Sequence, residues 1–225
     1  MSVVAECIAI ILLSNFKRGT MEAYTTVRRE GVFEYEDRKS VFIGTAVPVS
    51  TEQDALAFIA FIKKKYPDAR HHVYAYVLRE NSTMRFSDDH EPQGTAGMPV
   101  LDAIRKNGCT DTAVVVIRYF GGTLLGTGGL VRAYSAAAVG ALENAEIITY
   151  DIYSEIKIVV SYSDYQRITP TISDYGFRVA DTVYSDSVVI NGRISKERAN
   201  AFLNTLNEVT SGRAKTEILQ EIFDC

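Results

Sequence analysis

Cysteine is scarce in this chain, and what there is lies scattered. Cys7, Cys109 and Cys225 are odd in number and form no C-x-x-C pair, which argues against a disulfide framework or a zinc site and for a reducing, cytoplasmic setting. Three histidines, His71, His72 and His90, are too few to suggest a histidine metal cluster. Positive charge is not in excess either: the net charge is −4. Bulk adhesion to nucleic acid or to an anionic membrane is therefore not expected, and any basic footprint must be local. No apolar run is long enough to span a bilayer. The stretch from Val3 to Leu13 is short, is broken by Glu6, and lacks the basic start and cleavage site of a secretory signal.

What is present suits a packed protein. The 225 residues are 47% apolar, enough for one large domain or two small ones. Met21 opens a β-like segment, so residues 1–20 are read as a non-native or leader extension with Met21 as the native start, a short extra strand or helix being the alternative. A first domain, 21–150, mixes strands and helices. Val41 to Val47 reads as a strand. Ser50 with Gln53, or Thr51 with Asp54, fits a capping box before a helical face of Leu56, Ile59, Ile62 and Tyr66 that Pro67 ends. His72 to Leu78 alternates like a strand. Pro99 suits the first turn of a short helix stopping before Gly108. A second domain, 154–225, reads β-α-β-β-α-β, the ferredoxin-like arrangement. In it Ile156, Ile158 and Val160 alternate, Ser163 and Gln166 suggest a cap, and Pro170 is expected to kink or shorten the first helix. Ser185 to Ser187 turns a hairpin, and Ala199, Phe202, Leu203, Leu206 and Val209 form the second helical stripe.

Two stretches are dense in chemistry. Five of the fifteen glycines, Gly121, Gly122, Gly126, Gly128 and Gly129, fall between a β-branched run ending at Arg118 and a small-residue helix read from Leu130 to Ala145. Glycine lets backbone N–H groups approach a ligand, and a helix start adds unpaired donors and a positive dipole end. Together they suit an anion, with Arg118 and Arg132 placed to clamp it. Glycines also serve tight turns, so a purely structural loop is the alternative. Gly121-x-x-x-x-Gly126 continues as Thr127-Gly128 where a P-loop has its lysine and hydroxyl, and Gly126-x-Gly128 is followed by Val131 where a dinucleotide fingerprint has its third glycine.

The other stretch, Asp88 to Gly97, packs Asp88, Asp89, His90 and Glu91 ahead of Gly94, Thr95 and Gly97. Closely packed carboxylates repel, so a partner such as Mg²⁺ is one reading and a solvated turn whose acids cap helix starts is the other. The calcium-loop spacing is absent. His71 and His72 open a strand and point to opposite faces.

His71 to Tyr76, Asp88 to Gly97 and Arg118-Tyr-Phe-Gly-Gly-Thr-Leu-Leu-Gly-Thr-Gly-Gly-Leu-Val-Arg-Ala-Tyr134 resemble the IMPACT/YigZ family, over nearly the whole chain from Met21. One departure is His90, where many relatives have glycine. The resemblance implies an α+β protein. Its N-terminal domain would be similar to the second domain of small-subunit ribosomal protein five, and its C-terminal ferredoxin-like domain to elongation-factor domains. Eukaryotic relatives regulate translation by interfering with activation of an initiation-factor kinase. They carry an extra N-terminal RWD domain that has no counterpart in these residues, so that partner is not carried over.

The reading is a cytoplasmic, translation-associated binding protein, more a binder than an enzyme, meeting RNA or a ribosomal or translation-factor surface. Its ligand-binding set is Arg118, Tyr119, Gly121, Gly122, Gly126, Gly128, Gly129, Arg132, His71, Asp88, Asp89, Glu91, Gly94 and Thr95. Tyr119, Phe120 or Tyr134 would stack on a base if exposed. The alternative is a small-molecule enzyme with a phosphorylated ligand at the glycine loop and a divalent metal at Asp88, Asp89 and Glu91. No motif calls for a cofactor, no metal ligand set is assigned and no membrane is implied.

Overall fold

The Val-Val-Val-Ile run before the glycine loop lacks strand-like alternation because its strand is covered on both sides. In the computed structural model, which describes residues 22–225, β6 (Thr112–Tyr119) sits mid-sheet. Val114 and Val116 enter one core while Ala113, Val115 and Ile117 enter another. The expectation about residues 1–20 lies outside the described residues.

The described chain divides into two units, Tyr24–Thr149 and Tyr150–Cys225. In the first, β1 (Tyr24–Val27) precedes β2 (Gly31–Asp37), β3 (Ser40–Pro48), β4 (His71–Val77) and β5 (Met84–Ser87). The sheet order is β2-β3-β6-β4-β5, antiparallel throughout. One face packs on α1 (Glu52–Lys65) through Ala55, Ile59 and Ile62. Leu56, expected on that stripe, is half exposed, and Ala55 replaces it. Thr51 and Asp54 close the capping box at the start of α1. The opposite face carries α2 (Gly97–Lys106) and α3 (Gly126–Asn144). Ala137, Ala138 and Ala141 are fully buried there, small enough to hold α3 close to β2 and β3.

The second unit takes in β7 (Ile147–Val160) from Tyr150, then α4 (Tyr162–Asp174), β8 (Arg178–Tyr184), β9 (Val188–Ser195), α5 (Lys196–Val209) and β10 (Lys215–Asp224). Its strands lie in the order β10-β7-β9-β8, all antiparallel, which is the ferredoxin-like sheet. Ile156, Ile158 and Ile190 meet Ile168, Phe202 and Leu206 in its core. Two details differ from expectation. The cap of α4 is Ser161, whose hydroxyl accepts from the Asp164 amide at 3.1 Å, because β7 ends at Val160 and the helix starts at once. And α4 runs through Pro170 without stopping. Pro170 and Gln166 are both exposed, so the carbonyl that proline leaves without a donor faces water.

Candidate anion-binding site

After Tyr119 the chain leaves the sheet, and α3 begins at Gly126, four residues before the expected Leu130. Gly128 and Gly129 are thus in the helix's first turn. Gly121 is pressed against the backbone of Lys39 and Ser40, where a Cβ would overlap it, and its N–H donates to Ser40 Oγ at 3.1 Å. Gly122 and Gly126 take left-handed φ of +84° and +70° with open space around them. Gly128 has no such φ, and a Cβ there would meet nothing nearer than the Arg132 guanidinium at 3.8 Å. Leu125, at the N-cap, supplies no side-chain acceptor. Gly126, Thr127 and Gly128 are exposed, so the positive end of a 19-residue helix faces solvent.

Exposed cations surround it. Arg132 lies one turn along α3. Arg38 and Lys39 come from the β2–β3 turn, with Arg38 Nη1 donating to the Leu124 carbonyl at 3.4 Å. Nothing local in the sequence pointed to Arg38 and Lys39. They reach the loop only because β3 pairs with β6, setting Val41 opposite Tyr119.

Arg118 is not part of that exposed cradle. It was expected as an outer clamp, but it is 6% exposed and faces the core side of the sheet. The pleat decides this: Arg118 shares a face with Val116 and Val114. Its Nη1 donates to Glu91 Oε1 at 2.6 Å, and its Nε has no partner. Tyr134, expected as a stacking surface, is fully buried and donates its hydroxyl to the same Glu91 oxygen at 2.8 Å. Burial first, then Glu91, push the Tyr134 phenol well above its ordinary range and keep it protonated. The Leu130, Tyr134, Ala137, Ala141 spacing was the signal for this inward stripe. Tyr119 is half-buried, its phenol also raised, by burial and then by Asp68.

The acids of the other dense stretch do not share a ligand. Asp88 crosses to the start of α2, accepting from the Ala96 and Gly97 amides at 3.1 and 2.8 Å and from Gly94 at 2.9 Å. Asp89 Oδ2 accepts the His72 backbone N–H at 2.7 Å. The Asp89 carbonyl accepts Nδ1–H of His71 at 2.8 Å. His71 Nε2 stands 3.8 Å from Glu91, and His72 Nε2–H donates to the Tyr66 carbonyl at 2.9 Å. Thr95 closes the turn by donating its hydroxyl to the Pro92 carbonyl at 2.6 Å. Among the described residues no group of three or more His, Cys, Asp and Glu is placed to hold a metal. A groove of about 260 Å³ between α2 and α3, lined by Gly94, Met98, Asp102, Lys106, Val131 and Ser135, includes neither Arg118 nor Glu91. His90 holds φ +68° on an exposed turn, a conformation glycine adopts without strain.

No helix among the described residues is long and apolar enough to cross a membrane. Residues 38–142 match the Impact N-terminal domain, and residues 158–213 match a domain of unknown function, DUF1949. The chain is 35% identical over 195 residues to IMPACT family member YvyE of Bacillus subtilis, covering 86% of this chain and 90% of that protein. It is 34% identical over 203 residues to an IMPACT family member of Haemophilus influenzae, covering 89% and 98%. A crystal structure of a hypothetical protein, 28% identical, superposes with a TM-score of 0.55 over 89% of this chain and 98% of that one. The chain belongs to the IMPACT family.

Proposed function

We propose that this protein is a cytoplasmic regulator of translation that binds RNA, alone or on a ribosomal surface, through the N-terminal turn of α3. The observation that carries the reading is the uncapped, exposed start of α3, preceded by the open left-handed glycines and ringed by Arg38, Lys39 and Arg132. A phosphate there would meet backbone N–H groups, the helix dipole and guanidinium forks together. Phe120, 45% exposed beside the loop and backed by the Arg118 guanidinium at 5.6 Å, offers an outer face for a base. The cradle is a local basic footprint on an acidic chain, which is what the net charge requires of an RNA binder. Membership of the IMPACT family supports the link to translation.

The test is fluorescence anisotropy with a single-stranded RNA of about 20 nucleotides across a salt series, long enough to span several phosphate contacts. The Arg38→Ala/Arg132→Ala pair is expected to weaken binding about uniformly across sequences. It should also lower the salt slope by roughly 1 per cation removed, with the thermal melt unchanged. Absence of salt-sensitive binding by the unmodified protein, or equal binding by the double variant, overturns the reading.

A further inference from the structure

The cations of the first unit divide by whether an acid answers them. Arg28 and Arg29 meet Glu146, Arg79 meets Asp111, Arg105 meets Asp102 and Arg118 meets Glu91. Arg38, Lys39, Arg70, Arg132 and the Lys63-Lys64-Lys65 run are exposed, and among the described residues none of them is in an ion pair. All of these stand at one end of the sheet. β6 ends there at Tyr119, with Val41 opposite it on one side. On the other side His71 lies opposite Arg118, and the Arg70 amide donates to the Arg118 carbonyl at 3.2 Å. Residues 66–70 join the last turn of α1 to β4, and His72 Nε2–H holds the Tyr66 carbonyl, so the three lysines come to the same end. A helix dipole favours lysines at the end of α1. It accounts neither for Arg70, which lies beyond the helix, nor for the lack of acid partners. The acids nearby are half-buried Asp37, next to Arg38, and Asp68, which accepts the Tyr119 hydroxyl. Asp89 and Glu91 are taken by His72 and Arg118.

We propose that the RNA path of the α3 cradle continues over the strand ends to the α1 side, where Arg70, Lys63, Lys64 and Lys65 hold the phosphates that follow. The proposal rests on the reading of that cradle as an RNA site and adds the course of the strand across the protein. α1 and α3 cover opposite faces of the sheet. Packed layers lie about 10 Å apart, so the two groups of cations stand roughly 20 Å from each other. One phosphate cannot bridge that span, and a strand of several nucleotides can. Aromatic residues occupy the crossing point. Phe120 is 45% exposed beside the Arg118 guanidinium, and half-buried Tyr119 packs on the α1 side with Tyr66. Cations with aromatic faces between them suit the backbone and the bases of a single strand together, whereas an acidic protein surface has use for the cations alone.

The experiment is fluorescence anisotropy on the full chain with a single-stranded RNA of about 16 nucleotides across a salt series, comparing variants that each remove two charges. Lys64→Gln/Arg70→Gln is expected to lower the salt slope by roughly 1 per cation removed. Arg105→Gln/Lys106→Gln, which removes two exposed cations at the end of α2, should leave the slope unchanged. Added to Arg38→Ala/Arg132→Ala, the Lys64 and Arg70 changes should double the loss of slope, with one RNA bound per chain. Thermal melts check that each variant is folded. Should the Lys64 and Arg70 variant fail to fold, Lys63→Gln/Lys65→Gln must lower the slope in its place. Binding that the Arg38 and Arg132 changes weaken, but the Lys64 and Arg70 changes weaken no more than the α2 control, overturns the path and spares the cradle. Absence of salt-sensitive binding by the unmodified protein overturns both. Two RNAs bound per chain would mean separate sites, and equal binding of poly-glutamate of the same length would mean an acidic protein partner; either result overturns the proposal.

Discussion

The segment Asp88 to Gly97 and the loop Gly121 to Gly129 look equally functional as strings of letters, yet the fold uses them in opposite ways. The first turns its polar groups inward. Asp88 caps α2, Asp89 fastens the start of β4, and Glu91 neutralises buried Arg118 while accepting from Tyr134. The second turns its backbone outward and leaves the first turn of α3 without a side-chain cap. Density of reactive residue types thus marks two different things: internal wiring when each group has a partner, and an outward-facing turn when donors are left facing water.

The largest expected effect strikes the wiring. Glu91→Ala strands the Arg118 guanidinium in the core, and loss of one partner of a buried pair costs about 3–5 kcal/mol. Chemical denaturation should show it, with Glu91→Gln falling between. A change below about 1 kcal/mol would mean that Arg118 escapes to solvent and that the two regions are less distinct than described.

Glycine tests the loop itself. Gly121→Val drives a side chain into the Lys39–Ser40 backbone and should destabilise by about 1–3 kcal/mol or more. Gly128→Ala, in open space with an ordinary helical φ, should leave stability unchanged or raise it by up to about 1 kcal/mol. Equal melting temperatures for the two variants would contradict the division of the glycines into packed and open. Asp88→Ala, which removes the acceptor for three amides at the start of α2, is expected to cost about 1–2 kcal/mol, read by the same denaturation. A neutral outcome would place Asp88 with the solvent-facing groups.

The smallest effect carries the comparison into the second unit. Asp164 accepts from Arg213 Nε at 3.0 Å and Nη2 at 2.8 Å, and from the Ser161 hydroxyl at 3.0 Å. The Arg213 bonds foremost hold its carboxyl down at about 2, against an ordinary 3.8. A depressed acid stabilises the fold above the unfolded value and loses that contribution as pH falls towards the folded one. The melting-temperature gap between the unmodified protein and Asp164→Asn should therefore be constant above about pH 4 and close between about pH 4 and pH 2. A gap that persists at pH 2 would show that the carboxylate's charge is not what matters.

Much of the fold was legible because its signals are local. The capping box at Thr51 and Asp54, the 199–202–206 stripe and the Ser185–Ser187 turn each act within a few residues, and the structure uses all three. The helix boundary at Gly126 was misread because glycine weakens propensity, and only packing of the following alanines on the sheet extends the helix backwards. The exposed cradle was half legible. Its glycines were visible, but Arg118 was assigned to it by adjacency, when strand pleat sends that side chain to the opposite destination.

The amino-acid order alone determined most strands and helices, because periodicity, caps and turns are short-range physics, and its motifs carried the resemblance to the family. Only the tertiary structure decided which charges are consumed and which remain outward. Arg118 meets Glu91 across 27 residues, and Arg38 meets the loop across 86. Pairings over such separations exist only once sheet register has been set, and register is a property of the packed sheet rather than of any one segment.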